Sequence, residues 1–281
     1  MKTVMCLLML CAAPALAAEV SFGGRLEQGG LMVGTAPANA VIMLDKRKVQ
    51  VSADGRFIAG FDRDAPASAT LTITVLGEAP EVHVLTIAKR QWQIERVNGV
   101  PQELVTPDPE MEARIAAEQK LLNQARAKFD GRPWFESGFM RPVEGRKSGA
   151  FGSQRVLNGT PRAPHAGWDI AAPIGTKVHA AADGVVSLSK EMLVMTGDTV
   201  MLNHGLGLQT MYIHMSKILV TDGQQVKQGD VIGEVGMTGR ANGPHLHFAA
   251  NWFNARLDPE TVLAALPVPA LKDDGAPRTT P

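Results

Sequence analysis

The sequence predicts a mainly β protein: a small N-terminal β-sandwich, a linker helix, and a C-terminal antiparallel β-sheet or barrel-like domain. Short, alternating, turn-punctuated segments fill residues 19–88, as where Leu71, Ile73 and Val75 alternate with threonines. A single apolar stripe at helical spacing, Met111, Ile115, Leu122, Ala125 and Phe129, follows. From Phe139 to Trp252 glycine-punctuated strand segments run on with no long helix between them.

The chain has 281 residues, 45% of them hydrophobic and 5% aromatic, enough for two modest cores and too polar for a polytopic membrane protein. Its 28 lysines and arginines balance 28 aspartates and glutamates, so no basic excess points to nucleic acid. Lys2, the apolar run Val4 to Ala13, and the small residues Ala15 and Ala17 read as a cleaved secretory signal, too short to remain as a membrane span. Both cysteines, Cys6 and Cys11, fall inside that signal. The mature chain is therefore expected to be exported, free of disulfides, monomeric and away from the membrane, with any metal held by nitrogen and oxygen donors.

The expected boundaries are a signal at 1–17, the sandwich at 18–90, a linker at 91–138 with its helix at 108–129, the strand-rich domain at 139–265 and a disordered tail at 266–281. Asp54-Gly55 is a dipeptide that tight hairpins select, because glycine tolerates positive φ. Thr106 or Asp108 can cap the helix, with Pro107 or Pro109 in its first turn, and Gly131-Arg132-Pro133 ends it. Its stripe is expected to dock on a neighbouring domain. A short helix around Thr261 to Ala265 closes the strand-rich domain, and the proline-rich end beyond it is expected to be disordered.

The chemistry concentrates at Gly243-Pro244-His245-Leu246-His247-Phe248. In a strand, His245 and His247 project from one face and can converge on one ion, whereas in a helix they would splay apart. His165 and Asp169, four residues apart, also share a face if that segment is extended. Two histidines and a carboxylate make a zinc shell that leaves a position for water, and His165, Asp169 and His247 are assigned to it. That leaves His245 beside the ion as a general base, since no HExxH glutamate competes for the role. His214, on a strand next to His245, is a second helper that could stabilise an oxyanion. His83, His179 and His204 lack a partner at ligand spacing and are expected to be structural, His83 as a solvent-facing strand residue.

The stretches HAGWDIAAPIGTKVHAAADGVV, YIHMS and VKQGDVIGEVGMTGRANGPHLHF, within residues 139–262, resemble the lysostaphin-like, or LytM-type, zinc metallopeptidases. His165, Asp169 and His247 match that family's zinc ligands, and His214 and His245 its catalytic histidines. The resemblance implies a zinc endopeptidase acting on peptidoglycan cross-links, leaning to D-Ala–diaminopimelate bonds. The sequence departs from the family pattern at Ala249, where many members have glutamate, and at SKEMLVMTGD, a loop that is not the usual glycine-rich one. The alternative is a non-catalytic regulator of peptidoglycan amidases, although such relatives typically lack zinc residues that this chain keeps. A biotinyl- or lipoyl-type carrier, suggested by VKQGDVIGEVG, would need a modifiable lysine at a hairpin tip, and here the hairpin runs into GPHLHF instead.

Overall fold

The computed structural model describes residues 20–97 and 108–269. The signal, the alternative cap Thr106-Pro107 and the end of the tail from residue 270 lie outside the described residues. Strands β1 (Ser21–Gly24), β2 (Leu31–Thr35), β3 (Val41–Leu44), β4 (Arg47–Val49), β5 (Arg56–Gly60), β6 (Ser68–Thr74) and β7 (Glu81–Thr86) form two antiparallel sheets, ordered β1-β2-β5 and β4-β3-β6-β7. Leu31, Met32, Ile42, Phe57, Ile58, Leu71 and Ile73, none more than 2% exposed, fill the core they share. Each such side chain contributes about 1.5–3 kcal/mol on burial. Gly55 makes the expected turn at φ 85°, its amide donating to Ser52 O at 3.0 Å.

In β7 the inside and outside are reversed from the sequence expectation. Leu71 of β6 faces His83, which is half-buried with its ring edge-on to Phe22 at 5.0 Å, while Val82 and Val84 are 59% and 75% exposed. Leu85 sets the phase: it is the residue of β7 that the core takes, and His83, two positions away, must share its face.

The linker is not a free spacer. Trp92 meets Phe151 edge-on at 5.7 Å, and β8 (Ile94–Val97) pairs in parallel with a strand of the C-terminal region. Helix α1 (Pro109–Ala127) starts where Asp108 accepts from the Met111 amide at 2.8 Å, with Pro109 in the first turn. It ends two residues short of Phe129, which is 53% exposed, and Met111 is 37% exposed. Only the C-terminal part of the stripe is buried, through Leu122 and Ala125, while nearer the start Arg114 donates to Met192 O and Glu118 accepts from the Val194 amide.

The C-terminal strands are β9 (Arg146–Gly149), β10 (Gln154–Leu157), β11 (Thr160–Pro161), β12 (Trp168–Ala171), β13 (Lys177–His179), β14 (Gly184–Leu193), β15 (Gly197–Asn203), β16 (Leu208–Ile218), β17 (Gln225–Val226), β18 (Val231–Val235), β19 (His245–Trp252) and β20 (Ala255–Leu257). Ten of them form one sheet along the path β17-β14-β15-β16-β19-β12-β9, with β18 pairing β13 and β16, and β20 pairing β19. The stretch SKEMLVMTGD is not a loop: it is mostly the hairpin arms of β14 and β15, with only Val194–Thr196 turning between them.

One face of this sheet carries Ile170, Tyr212, Leu246 and Phe248 into the same core as the sandwich. The other carries Met201, Met211, Ile213 and Ala249, on which α1 lies. Ala249 is 2% exposed beneath the helix, so a glutamate there would bury a carboxylate under Leu122 and Ala125.

Helix α2 (Pro259–Ala265) is capped by Asp258, whose side chain accepts from the Glu260 amide at 3.0 Å. Asp258 also pairs with Arg90 at 2.8 Å. Gly60 abuts Trp252 and Leu257 so closely that a Cβ there would lie 2.7 Å from Leu257. The sandwich and the strand-rich region are thus fastened together, and the expected cut at residue 139 passes through packed structure: Phe135 is 3% exposed and its amide donates to His204 O. Two residues assigned to the expected tail are held in place, since Leu266 O accepts from the Phe139 amide at 2.7 Å and Pro267 bridges Phe139.

Candidate active site

Sheet register assembles most of the site. Antiparallel pairing places Asp169 of β12 opposite His247 of β19, and alternation puts His245 on the same face two residues away. His165 lies in the loop before β12 rather than in a strand. It reaches the same face because its amide donates to Ser153 O at 2.7 Å and its carbonyl accepts from the Gly152 amide at 2.9 Å. The segment from His165 to Asp169 is thus a strand only from Trp168 onward, and the two side chains meet all the same.

His165 Nε2 and His247 Nδ1 lie 3.0 and 2.8 Å from Asp169 Oδ1 and 3.0 Å from each other. A tetrahedral zinc ion with bonds of 2.0–2.1 Å spaces its donors about 3.3 Å apart, so the three atoms sit close to the edges of such a shell. His165 Nδ1 donates to Ala150 O at 2.9 Å, which fixes its proton and turns the Nε2 lone pair inward. Burial raises the Asp169 pKa, but the His165 and His247 rings packed against the carboxylate outweigh it and hold the carboxyl well below the usual range. Burial lowers the pKa of His247. The donor set is anionic oxygen and neutral nitrogen, as zinc requires.

Two glycines make room for these ligands. A Cβ on Gly149 would lie 2.3 Å from Asp169 Oδ2, and one on Gly167 would lie 2.9 Å from His247 Nε2. Their part could not be read from the sequence, because it depends on the β9-to-β12 approach and the turn into β12.

His245 and His214 stand beside the shell. His245 Nδ1 donates to Gly243 O at 2.8 Å, leaving Nε2 as an acceptor 3.7 Å from Asp169 Oδ1. The His214 ring centroid is 4.8 Å from that of His245 and 6.3 Å from that of His247. Its Nδ1 donates to Thr238 O at 2.7 Å, so its Nε2 is an acceptor too. Burial pushes the His214 pKa down to about 4, keeping the ring neutral. A neutral ring of this tautomer cannot donate from Nε2, which disfavours the oxyanion role expected of His214 and favours an acceptor role. His179 and His204 do not join the site: His179 Nδ1 donates to Gly229 O, and His204 is fully buried between Asp183 O and the Thr210 hydroxyl.

Residues 163–259 match the description of peptidase family M23. This stretch is similar to M23 peptidase domains. Over 128 residues it is 41% identical to the peptidoglycan DD-endopeptidase ShyA of Vibrio cholerae, covering 45% of this chain and 27% of that protein. Over 107 residues it is 45% identical to the DD-carboxypeptidase/endopeptidase Mpg of Neisseria meningitidis, covering 38% and 24%. The chain thus spans about a quarter of the length of these curated relatives. A solved structure described as an M23 peptidase of Pseudomonas aeruginosa superposes with a TM-score of 0.66 at 28% identity, over 86% of this chain and 96% of that one. The likeness therefore extends beyond the M23-like stretch into the N-terminal sandwich. Among the described residues, His165, Asp169 and His247 of the M23-like stretch form the one cluster of potential metal ligands, and no helix is long and apolar enough to cross a membrane.

Proposed function

We propose that the protein is a zinc endopeptidase that hydrolyses peptide cross-links of peptidoglycan, with D-Ala–diaminopimelate bonds as the favoured target. The observation that carries this reading is the convergence of His165 Nε2, Asp169 Oδ1 and His247 Nδ1 within 4.8 Å of one another, flanked by two further imidazoles. Zinc bound there would supply Lewis acidity and lower the pKa of a water to about 7. His165, Asp169 and His247 would hold the ion. His245 and His214 each present an Nε2 lone pair, and two acceptors on one side of a water can take its two hydrogens and leave its oxygen lone pair aimed at a carbonyl carbon. His245, nearer Asp169, accepts the proton and returns it to the leaving amine.

The relatives' names support the substrate, since both proteins described above are named for DD-peptidase activity. The signal-like first residues support export to the periplasm or cell envelope, with the mature chain a monomer. The test is digestion of purified sacculi by the zinc-loaded protein, followed by identification of the new amine and carboxyl termini. Release of cross-link fragments that stops with chelator and returns with zinc is expected. Sacculus binding by zinc-loaded protein without any new termini would overturn the enzyme reading in favour of an amidase regulator.

A further inference from the structure

His214 reaches the metal face only because β16 is irregular there. Asp198 of β15 is opposite Met215 and Val200 is opposite Tyr212, so Ile213 and His214 together face the single residue Thr199. This is a β-bulge. His214 sits in it at φ 64°, the left-handed region that a side chain seldom adopts. Ile213 keeps the helix-side face, and Met215 returns to the core on the other side. Without the extra residue, alternation would turn His214 away from His245 and His247.

A bulge opens the hydrogen-bond ladder, and here one side chain closes it. The Asp198 amide donates to Thr238 Oγ1 at 2.9 Å, and that hydroxyl donates to Met215 O at 2.6 Å. The hydroxyl thus stands between an amide and a carbonyl on opposed residues of two strands. The carbonyl of the same Thr238 accepts from His214 Nδ1 at 2.7 Å, and the His214 amide donates to Thr196 O at 2.9 Å. The close fit needs Gly197: at φ 62°, a Cβ on it would lie 2.2 Å from the Thr238 hydroxyl.

We propose that Thr238 is a positioning residue for His214: its hydroxyl replaces the ladder hydrogen bond that the bulge opens, while its carbonyl fixes the imidazole as the Nδ1–H tautomer. The proposal rests on the reading of His214 as part of the hydrolytic site. Valine keeps the shape of threonine but leaves the Asp198 amide and Met215 carbonyl without their shared partner. Serine restores the hydroxyl alone.

The test compares Thr238→Val and Thr238→Ser in the full-length zinc-loaded protein. For Thr238→Val, kcat should fall on the order of tenfold to a hundredfold, with zinc content unchanged and KM little changed, and Thr238→Ser should recover most of it. A valine variant whose kcat per zinc-loaded molecule stays within about twofold would overturn the proposal, as would a serine variant no better than valine. Nitrogen NMR of His214 in the unmutated protein supplies a readout that needs neither hydrolysis nor a foldable variant. Protonation at Nδ1 is expected; protonation at Nε2 overturns the proposal. If the NMR result holds while the unmutated protein cleaves no sacculi, the hydrolytic reading fails and the positioning of His214 stands.

Discussion

Asp169 faces His247 directly across the β12–β19 pairing, and its Oδ1 lies 2.8 Å from His247 Nδ1, while His245 Nε2, on the same strand as His247, stays 3.7 Å away. The two histidines of one strand are thereby separated in distance from the carboxylate. His247→Ala should lose bound zinc and hydrolysis together. His245→Ala should keep zinc and lose hydrolysis on the order of a hundredfold or more, the scale of a missing general base. Metal content by elemental analysis, measured beside sacculus digestion, separates the two. Zinc released by His245→Ala but retained by His247→Ala would reverse the assignment.

Gly149→Ala tests the space around the carboxylate. The added methyl group would lie 2.3 Å from Asp169 Oδ2, so either β9 or the carboxylate must move. Zinc affinity should fall at least tenfold, the scale associated with disturbing a ligand's surroundings. Competition with a chelating dye would reveal it, and an unchanged affinity would mean that β9 yields freely.

His204 predicts an acid-sensitive stability component away from the metal. It is fully buried, and burial pushes its pKa down to about 4 from 6.5. Its Nδ1 donates to Asp183 O at 2.7 Å, and the Asp183 carboxylate is already paired with Lys227. Between pH 6.5 and 4 the unfolded chain binds a proton there that the folded chain does not, so this stability is complete above about pH 6.5 and is lost as pH falls toward 4. The full effect is on the order of 3 kcal/mol. Denaturant unfolding across that window should show a slope smaller by about one proton in His204→Gln than in the unmutated protein.

The Arg90–Asp258 pair bears on domain independence. Asp258 has a side chain only 3% exposed, caps α2, accepts from Trp168 Nε1 at 3.1 Å and pairs with Arg90 at 2.8 Å. A fragment beginning near residue 135 would lose Arg90, strand β8 and the sandwich side of the core. It should be markedly less stable than the full chain, because the buried Asp258 carboxylate would lose its Arg90 partner and apolar surface of the shared core would be exposed. Equal melting temperatures for fragment and full chain would sink this expectation.

The sequence by itself determined that the protein is mainly β, that a capped helix begins near Thr106 or Asp108, and that His245 and His247 share a face. These rest on local rules: strand alternation has a period of two, and capping needs an acceptor next to free amides. Tertiary structure alone decided the rest. Alternation cannot say which face is inside, and the core's claim on Leu85 made His83 face inward and left Val82 and Val84 outside. Nor can it foresee an extra residue, and the bulge that carries His214 to the metal face depends on Asp198, Met215 and Thr238, which come from three separate strands and loops. His165 likewise owes its place to hydrogen bonds with Gly152 and Ser153 rather than to a strand. Such contacts between segments far apart in the chain have no local pattern, because each is fixed only when the strands pair and the backbone groups they leave unpaired must find partners.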